Sequence, residues 1–379
     1  MTRVVAVVGL GLLLGCGEQQ VMNRNWMNAR DSTGFAELIV RSPCQDCLTE
    51  EPVAVLGSSD GLGFVEETDW GLEDHLGRYW LNQDEILKVF NPDGSYLGTV
   101  GRSGGGPLEF QFPLPAGVDS RRNVQVADPG NARESRVSDV LLLMEEFPFL
   151  SGDIHSVTSF PKSNRLFVSS TKFADSTMKL MHVVEDGRVL VSFGEPARGS
   201  APAFSNHRRT AVSASGDVLF SAKEYEYEIE MWTADGERIG GFVGPEMNRL
   251  PVQPTFFDFD DNPIPSRIRA IQAIDRDRLL VIRWEVGPGW KERYEERHYS
   301  PGMTGIVLKD GQTADSVYTS IVDVVDIPSR SIVAQQVTSG LLRTFVGSGR
   351  ALQNTYDLVP QVVIWNLQYR PPGFQADGN

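Results

Sequence analysis

The stretch "FNPDGSYLGTVGRSGGGPLEFQFP", Phe90 to Pro113, admits three readings: a phosphate-cradling loop, a nucleophile turn, or architecture. It contains G-x-S-x-G as Gly101-Arg102-Ser103-Gly104-Gly105. A nucleophile elbow needs a strand, a strained serine turn and then a helix. Pro107 and "LEFQFPLP" supply no helix, so a serine hydrolase is excluded. A phosphate loop fails for the same reason, and because no Lys-Ser/Thr follows the glycines. What remains is a hairpin turned at Asp93-Gly94, since Asp-Gly favours the positive φ of a two-residue turn, followed by a crossing from Gly101 to Pro107. Phe110 is expected to pack in the core, and Glu109 to bond backbone N–H groups at the crossing.

The same layout recurs. "HVVEDGRVLVSFG" (His182 to Gly194) and "MWTADGERIGGFVG" (Met231 to Gly244) repeat strand, Asp-Gly turn, strand and closing glycine, and "RVSDVLLLMEEF" places Asp139 where another turn falls. Asp93, Asp139, Asp186 and Asp235 are 46, 47 and 49 residues apart. That period is one four-stranded propeller blade. Ahead of each hairpin stands another apolar strand: 77–82, 123–128, 164–170 and 216–222, with 276–284 and 329–337 continuing the series. The expected fold is therefore all-β, a six-bladed β-propeller. Seven blades is the alternative by length, but "GPEMNRLPVQPTFFDFDDNPIPSR" and "EVGPGWKERYEER" read as loops rather than a further blade.

Composition bounds the partners. With 50 acidic against 35 basic residues the formal charge is -15, and no basic patch offers itself to nucleic-acid phosphates, so a nucleic-acid partner is excluded. The first residues, "MTRVVAVVGLGLLLGC", carry Arg3, an apolar run too short to span a bilayer and a small residue before Cys16. This is the pattern of an export signal over 1–15. Leu13-Leu14-Gly15-Cys16 resembles the bacterial lipobox, which implies that Cys16 becomes a lipidated N-terminus. A soluble secreted form with unmodified Cys16 is the alternative. Residues 16–50 then read as a flexible tether and 51–379 as the propeller domain. The expected location is the bacterial cell envelope, anchored to a membrane at the periplasmic face or cell surface. Gly17, not being an acidic retention residue, favours the outer membrane.

Cys44 and Cys47, spaced C-x-x-C, suit a structural disulfide in an exported protein. A redox or metal role, or free thiols, stay open. "DGSYLGTVGRSGGGPLEFQFP" followed by "VQVADPGNAR" resembles the bacterial six-bladed β-propeller lipoproteins related to NHL repeats. Asp93, Gly94, Gly101, Arg102, Gly104, Gly106, Pro107, Glu109 and Phe110 match the family's pattern, as do Val126, Asp128, Asn131 and Arg133. Leu108 stands where the family usually has glycine, and "ESRVSD" follows Arg133 in place of a β-branched strand. The resemblance assigns these residues a structural role in the blade.

Candidate ligand groups are fewer. "EYEYEIEMW" reads as a strand with Glu224, Glu226, Glu228 and Glu230 on one face and Tyr225, Tyr227, Ile229 and Met231 on the other; this is either a cation site or a solvated edge. Asp258, Asp260, Asp261 and Asn262 offer oxygen ligands for Ca²⁺ or form a polar turn. Trp284, Trp290, Tyr294 and His298 form a possible ligand loop, or a loop folded onto its own blade. His75, His155, His182, His207 and His298 are scattered and not paired in recognisable blade positions. No metal site, catalytic residue or cofactor is therefore assigned, Ca²⁺ excepted as an open possibility. The expected function is a binding or scaffolding module for a protein or small-molecule ligand at the channel mouth. The alternative is a propeller enzyme of lactonase or lyase type with a metal in the channel.

Overall fold

The computed structural model describes residues 35–58, 61–171, 179–196, 206–247, 266–300, 303–356 and 359–371. Cys16, the export signal and the Asp258–Asn262 cluster lie outside the described residues. Among those described, six antiparallel sheets of four strands each make six blades; the strands of the fifth are interrupted by an inserted hairpin, and the last blade is completed from the N-terminal side. Blades 1 to 5 occupy 71–100, 114–148, 153–193, 208–243 and 267–337; blade 6 combines 342–369 with Leu48–Leu56 as its outermost strand. The first strands of the blades touch one another in a closed ring. Closure of that ring makes the structure a six-bladed β-propeller.

The packing follows from strand chemistry. Blade strands buried on both faces carry apolar runs such as Tyr79–Gln83 and Arg278–Val286. Their side chains fill six clusters, one at each blade-to-blade interface. Phe110, fully buried, joins Trp80 and Val89 of blade 1 to Val124 and Val137 of blade 2.

All four repeating acids lie in the hairpins between third and fourth strands. One of the four turns differs in type from the other three. Asp186 and Gly187 both have positive φ, the two-residue turn expected. At Asn91–Gly94 only Gly94 does, and its N–H bonds to Asn91 O at 2.9 Å. Pro92 fixes a negative φ at the second position, so the turn becomes a type I turn closed by a left-handed glycine. At Asp139 the left-handed residue is Leu141, with φ 62°.

Three expectations are corrected. Ser331–Val337 is the fourth strand of blade 5, and the second strand of blade 6 is Arg350–Thr355. The hairpin Tyr294–Ser300 with Met303–Leu308, inserted between the second and third strands of blade 5, displaced that count. Second, 16–50 is not all tether: Ala36–Glu37 and Ile39–Cys44 lie parallel along the outer strands of blades 4 and 5. They cover edges that would otherwise expose unpaired backbone groups. Third, Glu224 to Tyr227 do not continue one strand, because the strand begins at Glu228 and the preceding residues turn.

The polar segment after Arg133 does form a strand, Arg133–Val137, despite the buried Glu134, Ser135 and Arg136. Arg136 pairs with Glu134 at 3.2 Å and with Asp186 of blade 3 at 2.6 Å, while Gln125 donates to Glu134 at 3.1 Å. Burial of these charges is tolerated because each is answered by an opposite charge or hydrogen bond.

Candidate functional site

The channel left inside the ring of first strands is a cavity of about 720 Å³ lined by residues from all six blades. Its charged end lies where the first strands begin, on the face opposite the Asp-Gly hairpins. Extra residues set this end up. Four first strands contain one-residue β-bulges, which leave unpaired Ala116, His155, Arg269 and Arg343, with a second bulge at Val346 in the strand of Arg343. All four line the cavity. A bulge re-aims the side chain it carries, so the same device in four blades turns three charge-bearing or titratable side chains into one mouth. Arg209 joins them from blade 4 without a bulge.

Two carboxylates tie the ring together. Glu224 receives Arg209 at 2.9 Å and faces His207 Nδ1 at 3.4 Å and Arg267 at 3.9 Å. Asp69, entering blade 1, receives Arg269 at 2.9 Å and faces Arg343 at 3.7 Å. Burial opposes the ionisation of Glu224, but Arg209, the bond to His207, and Arg269 and Arg267 outweigh it and hold its carboxyl well below the usual range. Asp69 is likewise lowered, with Arg269 and then Arg343 overcoming burial. Arg343 also reaches outward to Glu67 at 2.8 Å.

Beneath the guanidinium groups lies Trp284, 2% exposed, with its indole N–H donating to Leu342 O at 2.7 Å. Arg267, Arg269 and Arg343 sit 5.0, 4.5 and 4.9 Å from its ring centroid. Stacking of a guanidinium on an aromatic face offsets part of the cost of crowding like charges. The crowding is still felt: burial, then Arg209 and Arg267, push Arg269 down to about 10 against the pull of Asp69.

His155 and His207, from adjacent blades, stack with ring centroids 3.9 Å apart and planes at 27°. This corrects the expectation that the histidines are unpaired. Burial, with His207 and Arg209 adding to it, lowers His155 to about 3, so it is a neutral imidazole bonded through Nε2 to Thr171 Oγ1 at 2.8 Å. Asp153, His155 and His207 bring one ligand atom each within 4.8 Å of one another.

The other sequence-named residues fall elsewhere. Glu109 accepts from Arg102 at 2.6 Å and from the Gly106 N–H at 2.7 Å. Asn131 Nδ2 donates to Gly104 O, Glu109 O and Asp128, and Asp128 accepts the Phe112 N–H at 2.9 Å. Arg133 donates to Glu109 O. These bonds knit the blade 1 to blade 2 crossing and leave the channel untouched. Leu108, at the family's glycine position, has φ 52°. Cys44 and Cys47 are disulfide-bonded between the edge strand of blade 5 and the closing strand of blade 6. Trp290 and Tyr294 pack on the blade 5–6 core, of which Trp284 is itself a buried member lying beneath the arginines of the mouth. His298 pairs opposite Thr304 in the inserted hairpin, and its side chain lies outside the described residues. Glu226 and Glu228 both pair with Lys223 at 2.9 Å, and Glu230 faces Arg238 at 4.0 Å. The expected carboxylate face is thus answered by cations, and Glu224 alone enters the mouth.

No protein-family model matches the chain, and no curated protein does. Among solved structures, it is similar to a "putative exported protein" of Bacteroides fragilis NCTC 9343, at 9% identity and TM-score 0.56, over 89% of this chain and 99% of that one. It is also similar to a member of the DUF4221 family from Bacteroides vulgatus ATCC 8482, at 11% identity and TM-score 0.51, over 89% and 99%. At these identities the likeness is one of fold: almost the whole of each neighbour superposes on this propeller.

Proposed function

We propose that the chain is an exported, membrane-anchored module of the bacterial cell envelope that binds a ligand at the charged mouth of its propeller. The observation that carries this is the ring of His155, Arg209, Arg269 and Arg343 lining one cavity, three of them placed there by bulges in blades 3, 5 and 6. Packing alone gives no reason to gather charged groups there, since each costs desolvation. Loops and strand ends from every blade converge at such a mouth, which suits recognition. Export is supported by the signal-like N-terminus and by the name given to the Bacteroides fragilis neighbour. Anchoring rests on Cys16, with the outer membrane as its destination. Cys16→Ser should move the protein from the membrane to the soluble fraction; equal membrane retention refutes the anchor.

A second reading, a metal-dependent lactonase-like or lyase-like enzyme, is favoured by Asp153, His155 and His207. Two facts weigh against it. Imidazole lone pairs lie in the ring plane, so rings stacked near-parallel direct them along similar lines rather than to one point. Nearby arginines also repel a cation. Native mass spectrometry and metal analysis of the full chain extracted from its own membranes separate the readings. Binding predicts a small molecule or peptide held without metal. Stoichiometric zinc or calcium, lost on His155→Ala, overturns it in favour of the enzyme.

A further inference from the structure

We propose that the Cys44–Cys47 disulfide is a latch opened by a dithiol: its reduction in the folded protein frees residues 39–44 from blade 5 and uncovers that blade's outer edge. How thinly this segment is held carries the inference. Among the described residues, Ile39, Val40 and Cys44 pair with Ser331, Ile332 and Ala334, and no other pairing joins the segment to the blade. From Val40 to Cys44 the segment takes four steps where the blade takes two, so the register slips. Pro43 has no N–H to offer within that slip. Ile39 and Val40 are 40% and 49% exposed, so they bury little. The segment is kept in place by its two ends.

Those ends differ in kind. Leu38, 5% exposed, is a plug in the blade 4–5 core, and its N–H donates to Val243 O at 2.8 Å. Cys44 packs in part on the blade 5–6 core and is tied through sulfur to Cys47. Cys47 is 6% exposed in that core, and its C=O accepts the Arg370 N–H at 2.7 Å. One end is thus fixed by burial and the other by a single reversible covalent bond to a residue anchored in blade 6.

Two further observations make this bond a latch rather than a brace of the whole fold. It closes a ring over two intervening residues, Gln45 and Asp46, both exposed. The chain entropy that a disulfide removes grows with ring size, so a ring this small does least for global stability. Beside the bridge lies a cavity of about 660 Å³, with Gln45, Asp46 and Glu50 on one side and Gln335 to Val337 on the other. A close-packed surround would hold the turn after the bond is cut, whereas open space lets it swing away.

The chemistry is thiol–disulfide exchange. A thiolate of the dithiol attacks Cys44 Sγ, on the less buried of the two residues; the S–S bond breaks, and Cys47 leaves as a thiolate and takes up a proton. The reductant's second thiol, giving up its proton, then displaces Cys44 as a thiol and departs as a cyclic disulfide. Two electrons and two protons pass to the protein. Ser331 to Ala334 are left as an uncovered sheet edge, the kind of surface on which an extended strand adds.

Hydrogen exchange read by mass spectrometry on the full chain, oxidised and after dithiothreitol, tests the latch. Iodoacetamide is expected to label Cys44 and Cys47 in the reduced, folded protein. Amide exchange in 39–44, and in the part of 331–334 that faces it, should rise at least tenfold, while strands Leu114–Val118 and Asp153–Ser159 keep their rates. Labelling of both thiols with exchange unchanged overturns the proposal. So does a bridge that dithiothreitol opens only once the protein unfolds. A rise throughout the propeller overturns it as well, because the bridge then braces the whole fold. All three outcomes are read on the wild-type chain and need no variant to fold. Cys44→Ser should show the fast exchange without reductant, and a folded Cys44→Ser with the slow exchange of the oxidised wild type also overturns the latch.

Discussion

Replacing His155 by glutamine should flatten the protein's loss of stability in mild acid. The imidazole is 7% exposed and sits against His207 and Arg209, with Glu224 on the far side of that pair. Its pKa falls from 6.5 to about 3 on folding, so between those values the unfolded chain takes up a proton that the folded one refuses. Stability from this group is therefore complete above pH 6.5 and is lost progressively as the pH falls toward 3. Between pH 6.5 and 5 the loss amounts to about 2 kcal/mol. Glutamine retains a partner for Thr171 but cannot ionise. Urea unfolding of wild type and His155→Gln at pH 7.5, 6.5, 5.5 and 5.0 should give two curves whose gap closes, or inverts, by that amount. His182, also lowered by burial, contributes a similar slope to both proteins and cancels in the difference. Parallel curves would refute the burial of a neutral His155 beside the arginines.

Two further substitutions probe the architecture. A Cβ at Gly117 would overlap Ser159 Oγ and Cβ across the contact between the first strands of blades 2 and 3; Gly117→Ala should cost about 1–3 kcal/mol by overpacking, and Ser159→Gly in the same chain should recover most of it, as read from denaturation midpoints. If the double variant is no more stable than Gly117→Ala, the clash is not the cause. Leu108 holds a left-handed backbone conformation that costs a non-glycine residue about 1–2 kcal/mol. Both Leu108→Ala and Leu108→Gly lose its partial packing, but only glycine removes the strain, so the glycine variant should be the more stable by about 1 kcal/mol; equal stabilities would show the turn to be unstrained.

The fold could be read from the chain because its punctuation is local. Asp93-Gly94, Asp186-Gly187 and Asp235-Gly236 each turn a hairpin using residues adjacent in sequence, and the blade period spaces them evenly. The mouth could not be read this way. His155, Arg209, Arg269 and Arg343 lie 54, 60 and 74 residues apart, stretched by the segment before Arg267 and by the hairpin inserted in blade 5. Moreover, three of them are set by bulges, which add one residue and leave no mark on a period-2 pattern. A faint signal exists: His155-Ser156-Val157, Arg209-Thr210-Ala211, Arg269-Ala270-Ile271 and Arg343-Thr344-Phe345 each place a basic or imidazole residue before a small one and an apolar one. Aligning first strands, rather than hairpins, would have exposed it. Glu224 was named but placed on the wrong kind of element, because the alternating Glu and Tyr imitate a strand where the backbone turns.

The outermost strand of blade 6 comes from Leu48–Leu56 and pairs with Gln361–Tyr369. The two ends of the domain are thus partners in one sheet. Until the C-terminal strand is available, the N-terminal one has no neighbour, and the ring stands open with an unpaired edge on each side. Pairing across so long a stretch of chain imposes a closure entropy that must be met before the contacts that reward it form. The polypeptide therefore cannot complete its fold piece by piece as it emerges. Until that pairing forms, the open ring presents two sheet edges at once, and edge-to-edge association between chains is the hazard that its closure removes.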